Sequence, residues 1–153
     1  MISIACHGHP NIVATHPTTL EITASENLTT NGDCIIGVGA CFDQAALGEF
    51  LATTPHISVS IDLDGDVMSF RADANPDFTD NKELVFRRSD FVSSRTVGVH
   101  ASMACIDLPR DFVQKLKTQA KLSLKIQVDF YLASHLKIFI KNLLGEIGDL
   151  QKL

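Results

Sequence analysis

Tryptophan is absent from this 153-residue chain and tyrosine occurs once, whereas phenylalanine occurs nine times. The core is therefore aliphatic with Phe as its bulky filler, and platforms for stacking bases are few. No C-x-x-C pair exists among Cys6, Cys34, Cys41 and Cys105. Cys34, Cys41 and Cys105 each lie in an apolar run, which suits small buried thiols in a reducing cytoplasm and not a disulfide framework. The N-terminal segment has neither a basic stretch nor a long apolar one, so no secretory signal is read there. The most apolar stretch, Phe130 to Leu144, is interrupted by His135, Lys137 and Lys141. It is also shorter than the ~20 residues a membrane span needs, so no membrane partner is expected. Signatures of a P-loop, a G-x-S-x-G elbow, an H-E-x-x-H zinc helix and an EF-hand are all missing. The net charge of -5 argues against coating nucleic acid by charge alone.

What is present is a repeat. Ile36-Gly-Val-Gly-Ala matches Val97-Gly-Val-His-Ala, and Ile57-Ser-Val-Ser-Ile-Asp-Leu matches Leu122-Ser-Leu-Lys-Ile-Gln-Val. Upstream, His9-Pro-Asn-Ile and Leu20-Glu-Ile parallel Asn75-Pro-Asp-Phe and Leu84-Val-Phe. The fold class expected is α+β and strand-rich: one domain over residues 1–129, made of halves at about 4–63 and 70–129. Each half is too small to hold much core alone. They pack face to face, or interleave into one β-barrel, around a pseudo-twofold axis.

Within the first half, short strands are expected at Ile12–His16 and Leu20–Thr23, and an apolar one at Cys34–Val38. Ala45 to Leu51 has helical spacing with Asp43 as cap, and Pro55 ends that helix. Ile57, Val59, Ile61 and Leu63 alternate as a half-buried strand, and Asp64-Gly65 is a hairpin signal leading to Val67–Arg71. In the second half, Leu108-Pro109-Arg110-Asp111 opens a helix and Leu122–Val128 forms the alternating strand. Beyond Asp129, Leu132, Leu136, Phe139, Leu143 and Leu150 predict an amphipathic helix over 130–153 that docks on the domain or on another subunit.

Three constellations could carry chemistry. His7 and His9 share a face of an extended chain, and His16 on a returning strand could join them as a metal site for a divalent ion such as zinc. These histidines also read as turn residues, since His9 precedes Pro10 and His16 precedes Pro17. Gly37-Val38-Gly39 imitates a dinucleotide fingerprint, but Phe42 stands at the third glycine position, so a tight bend explains the glycines better. Arg87 to Arg95 holds three arginines and three serines, a composition able to grip a small anionic ligand through forked hydrogen bonds.

The blocks Gly8-His-Pro-Asn-Ile-Val-Ala-Thr-His16 with Thr18-Thr-Leu-Glu-Ile-Thr23, Gly32-Asp-Cys-Ile-Ile-Gly-Val38, and Arg88-Ser-Asp-Phe91 with Arg95-Thr96 resemble an archaeal family, the domain of unknown function 371. The resemblance covers roughly residues 4 to 128. It implies a cytoplasmic, duplicated, strand-rich protein and no particular activity. The positions it marks as ligand-binding candidates are His9, His16, Thr18, Glu21, Asp33, Asp90 and Arg95, which cluster in polar turns.

Charge is divided unevenly. Residues 1–80 hold eleven acidic side chains against Arg71 alone, while residues 81–153 hold twelve basic and seven acidic ones. Such asymmetry favours the halves facing each other, or head-to-tail contact between subunits. Two functions stay open. One is a small-ligand or metal-binding domain, with Glu21 and the histidines meeting Arg95 between the halves. The other is a non-catalytic module that assembles as a homo-oligomer through the C-terminal helix.

Overall fold

A computed structural model describes residues 1–150. In chain order the elements are β1 (Ile2–His7), β2 (Thr19–Thr23), β3 (Ile35–Cys41), α1 (Gln44–Thr53), β4 (His56–Leu63) and β5 (Asp66–Ala74). Then follow β6 (Glu83–Arg87), β7 (Thr96–Val99), a 3-10 turn (Cys105–Asp107), α2 (Arg110–Leu116), β8 (Lys121–Val128) and α3 (Phe130–Leu150). The eight strands form one sheet in the order β1-β3-β2-β6-β7-β5-β4-β8, and β8 pairs back with β1 to close it as a barrel.

Local chemistry explains most of these elements. In β4, Ile57, Val59, Ile61 and Leu63 are fully buried while the intervening serines and Asp62 face outward. Asp64 and Gly65 both have positive φ, the signature of a two-residue hairpin turn, and the Asp62 carboxylate accepts from the Gly65 N–H at 2.8 Å. Asp43 caps α1 by accepting from the Ala46 N–H at 3.0 Å. The interior is filled by residues such as Ile4, Leu20, Ile22, Ile36, Leu84, Leu124 and Ile126. Phe70 and Phe86 meet edge to face at 5.2 Å, using the bulky filler that the composition supplies.

Two expectations change. Ile12–His16 is a loop, not a strand: Ile12 and Ala14 are buried singly, and Ala14 has φ 47°. The strand that fills this place in the sheet is β1, with Ile4 and Cys6 inward. The C-terminal helix forms over 130–150, and residues 151–153 of the expected segment lie outside the described residues. Its apolar residues are not confined to a docked stripe; Leu136, Ile138, Phe139, Leu144 and Ile147 are all exposed.

The halves share an internal order. Exchanging β1–β4 with β5–β8 reproduces the same closed strand sequence. Each half contains a parallel neighbour pair, β2 with β3 and β6 with β7, and each pair shifts register at its second contact. Backbone hydrogen bonds correspond as well. Glu21 N–H donates to Cys34 O as Val85 N–H does to Arg95 O. Thr15 and His16 donate to Asp33 O as Thr79 and Asp80 donate to Ser94 O. Gly39 and His100 occupy matching places with φ 64° and 51°, bonded to Ser25 O and Ser89 O.

Gly37 and Gly98, one in each half, have a packing cause. A Cβ on Gly37 would lie 2.8 Å from Cys6 Sγ, and one on Gly98 would lie 2.8 Å from Ala72 Cβ. These glycines let neighbouring strands approach closely, as bends in a closed sheet require.

Candidate functional site

The first polar centre lies on the seam between β2 and β6, where Glu21 pairs across the ladder with Val85. Alternation sends Leu20 and Ile22 into the core and turns Thr19, Glu21 and Thr23 to the other face, yet all five are buried. Glu21 accepts a hydrogen bond from the Cys34 thiol at 3.2 Å and stands 3.6 Å from Arg95. Arg95 also forms a close ion pair with Glu83. Burial, together with a hydrogen bond shared with Glu83, pushes the Glu21 carboxyl up to about 7. The same hydrogen bond, aided by Arg95, holds Glu83 below its ordinary value. Of the two carboxyls sharing the Arg95 guanidinium, Glu83 therefore ionises first and Glu21 second. Burial and the charge of Glu21 push the Cys34 thiol up to about 12, so it is a hydrogen-bond donor and not a thiolate nucleophile.

The structure thus brings together Glu21 and Arg95 from opposite halves, and disperses the other sequence candidates. His9 Nδ1 accepts from the Asn11 N–H at 3.0 Å, and His16 Nδ1 accepts from the Thr18 N–H at 3.2 Å. Both rings act as turn acceptors, the role Asn75 and Asp80 play for Asp77 and Lys82 in the other half. Asp33 contributes its carbonyl to the Thr15 and His16 N–H groups, Thr18 is exposed, and Asp90 lies exposed on the loop between β6 and β7. His7 points elsewhere, its Nε2 2.8 Å from Glu26. The three histidines read as a zinc set do not converge, and among the described residues no group of three or more His, Cys, Asp or Glu is placed to hold a metal ion.

A cleft of about 620 Å³ opens where β1 and β3 meet β8. His7, Cys41, Asp62, Asp64, Lys121 and Ser123 line it above Gly39, so both halves contribute. Gly39 is needed here: a Cβ would lie 2.5 Å from Glu26 Oε1 and 2.9 Å from His7 Nε2. At the matching place in the other half, a smaller cleft of about 170 Å³ is lined by His56, Arg71, Asp73, His100, Ser102 and Asp129. There the Asp73 carboxylate accepts from His56 Nδ1 at 2.9 Å and from His100 Nδ1 at 2.7 Å. Burial raises the Asp73 carboxyl, but the hydrogen bonds from His100 and His56 outweigh it and hold it below its ordinary value.

Sequence reasoning missed Glu83 and the His56–Asp73–His100 cluster. The last joins residues far apart in the chain, and its one linear signal is that His100 replaces Gly39 in the repeat.

Among the described residues no helix is long and apolar enough to cross a membrane. Comparison with known proteins adds lineage to geometry. The chain is 34% identical over 131 residues to "Uncharacterized protein MJ0206" of Methanocaldococcus jannaschii, covering 82% of this chain and 97% of that protein. A family model, Domain of unknown function (DUF371), matches residues 4–129, which end one residue before α3 begins. Sequence blocks, the matched span and this relative agree, and the chain belongs to the DUF371 family.

Proposed function

We propose that the protein is a small-ligand-binding domain whose polar site is the cleft between the halves at His7, Cys41, Asp62, Asp64 and Lys121. The observation that carries this reading is a cleft of about 620 Å³ that draws side chains from both halves, with Gly39 in its lining. Its size falls within the ~300–1,000 Å³ typical of small-molecule pockets. Lys121 offers a cation to an anionic group, while Asp62 and Asp64, beside it where β4 pairs with β8, accept from hydroxyl or amine donors. Glu21 and Arg95 serve as a tie between the halves and not as a ligand contact. The matched hydrogen bonds, register shifts and strand order support an origin of the two halves from one duplicated unit.

A thermal-shift screen of phosphorylated and carboxylated metabolites tests the reading. A hit should lose about tenfold in affinity in Lys121→Ala and keep it in Lys125→Ala, which removes a charge farther along β8. Absence of any shift across the panel, or equal loss in both variants, would overturn it.

A second reading, assembly as a homo-oligomer, draws on α3, where Ile138 and Leu144 are 58% and 62% exposed. Light scattering on the full chain decides it. A monomer at all concentrations removes this reading, and a dimer lost in Ile138→Asp/Leu144→Asp supports it.

A further inference from the structure

The smaller cleft does not stand alone. It shares His56 and Asp129 with an apolar groove of about 550 Å³, formed where α3 leaves the barrel. Pro55 and Val128 form one wall of the groove, and Leu136 and Phe139 of α3 form the other. Leu136 is 58% exposed and Phe139 64%, an uncovered apolar surface that continues directly into a polar pocket.

The polar end offers acceptors. An ionised carboxylate has no proton to give, so both rings bonded to Asp73 carry their proton on Nδ1. In the neutral form of each ring that leaves an Nε2 lone pair, and the Nε2 of His56 and of His100 has no hydrogen-bond partner among the described residues. The strained backbone at His100, φ 51°, holds its ring against Asp73. The cation here is already engaged: Arg71 stands 3.5 Å from Asp129 and lies over the Tyr131 ring at 4.5 Å. With Asp73 and Asp129 close by, an anionic head group would meet two carboxylates and two lone pairs. His135, across the groove, has its Nδ1 on Tyr131 O at 3.1 Å.

We propose that groove and cleft together bind a single-chain amphiphile with a hydrogen-bond-donating head, a long-chain alcohol or primary amine. The chain lies along Leu136 and Phe139, and the head donates to Nε2 of His56 and His100.

Tyr131 is the one tyrosine in a chain without tryptophan, so intrinsic fluorescence reports from this site. The experiment titrates the full chain at pH 8 with 1-decanol, decylamine, decanoate and 1-butanol below their aggregation concentrations, following Tyr131 emission and heat. Saturable one-to-one binding is expected for decanol, decylamine or both, with decanoate and butanol at least about tenfold weaker. Whichever of the two donors binds tighter identifies the head. His100→Ala and His56→Ala should each weaken the donor ligands about tenfold and leave decanoate unchanged. Phe139→Asp should abolish binding without lowering the melting temperature, since Phe139 is exposed. Equal binding of decanoate, or indifference to both histidine variants, overturns the proposal. So does light scattering that shows a dimer dissociated by Phe139→Asp with no ligand titrating, which would make a second copy the occupant.

Discussion

Glu21 shows how one side chain couples the fold to pH. Its carboxyl is raised from 4.5 to about 7, so the folded chain holds this proton more tightly than the unfolded chain does. The stability it brings is fully present below about 4.5 and is lost as pH rises through about 7. Glu83 runs the other way: its carboxyl is depressed, so its contribution is present above its ordinary value and is lost as pH falls through the depressed one. Glu21→Gln imitates the protonated acid permanently. Relative to the parent it should be near neutral at pH 5 and more stable by about 2 kcal/mol at pH 8, read from urea melts. The same difference at both pH values would show that Glu21 does not titrate in this range. The Glu21–Arg95 meeting was legible through the family resemblance, which marks both positions, one in each half. Glu83 was not, because nothing linear distinguishes it from any other strand-end carboxylate.

Elements differ in how much of their cause is local. The helix α1, the β4–β5 hairpin and β8 carry their own signals: an Asp cap, an Asp-Gly turn and strict alternation. By contrast, the 8–18 loop is held by distant partners, and no local pattern could reveal it. Arg110 at the start of α2 donates to Val13 O, Ala14 O, Cys105 O and Leu108 O at 3.0–3.3 Å. One guanidinium thus satisfies backbone carbonyls from two segments, where a regular strand would have used ladder bonds. Arg110→Met keeps the apolar stem and removes every donor, and should cost about 2 kcal/mol in chemical denaturation. A loss below about 0.5 kcal/mol would mean that water replaces the guanidinium without penalty. Turn chemistry also misled in one place, since Ile12 to His16 reads as alternating yet is fixed by carbonyl contacts to Asp33 and Arg110.

For the whole molecule, the charge division seen in the sequence has a structural counterpart. Arg95 reaches Glu21, Arg88 reaches Pro17 O at 3.1 Å, and Arg110 reaches Val13 O and Ala14 O. Basic side chains of the second half thus extend over loops of the acidic first half, and the contacts that join the halves are polar at the surface and apolar within. The sequence leaves the order of strands around the sheet open, because parallel neighbours such as β2 and β3 depend on a crossover whose path is set by packing. The two pseudo-equivalent clefts show the same limit. They became visible once Gly39 and His100 stood in matching places with different side chains.

The antiparallel pairing of β1 with β8 has a consequence for connectivity. Ile2 lies opposite Ile126, and the partner hairpin of this ladder, β4 with β5, turns on Asp64 and Gly65. A chain opened between Asp64 and Gly65 and sewn by a short glycine-rich linker from Asp129 to Met1 would trade one hairpin for its twin. Circular permutation of residues 1–129 in this way should give a folded monomer whose circular dichroism matches that of the same span unpermuted, with stability lowered by about 1–3 kcal/mol through loop entropy. A permutant that stays unfolded would mean that the β4–β5 turn is where folding must begin. A folded one would mean that the architecture is a ring with interchangeable seams, in which the order of synthesis is free to vary while the neighbours in space are not.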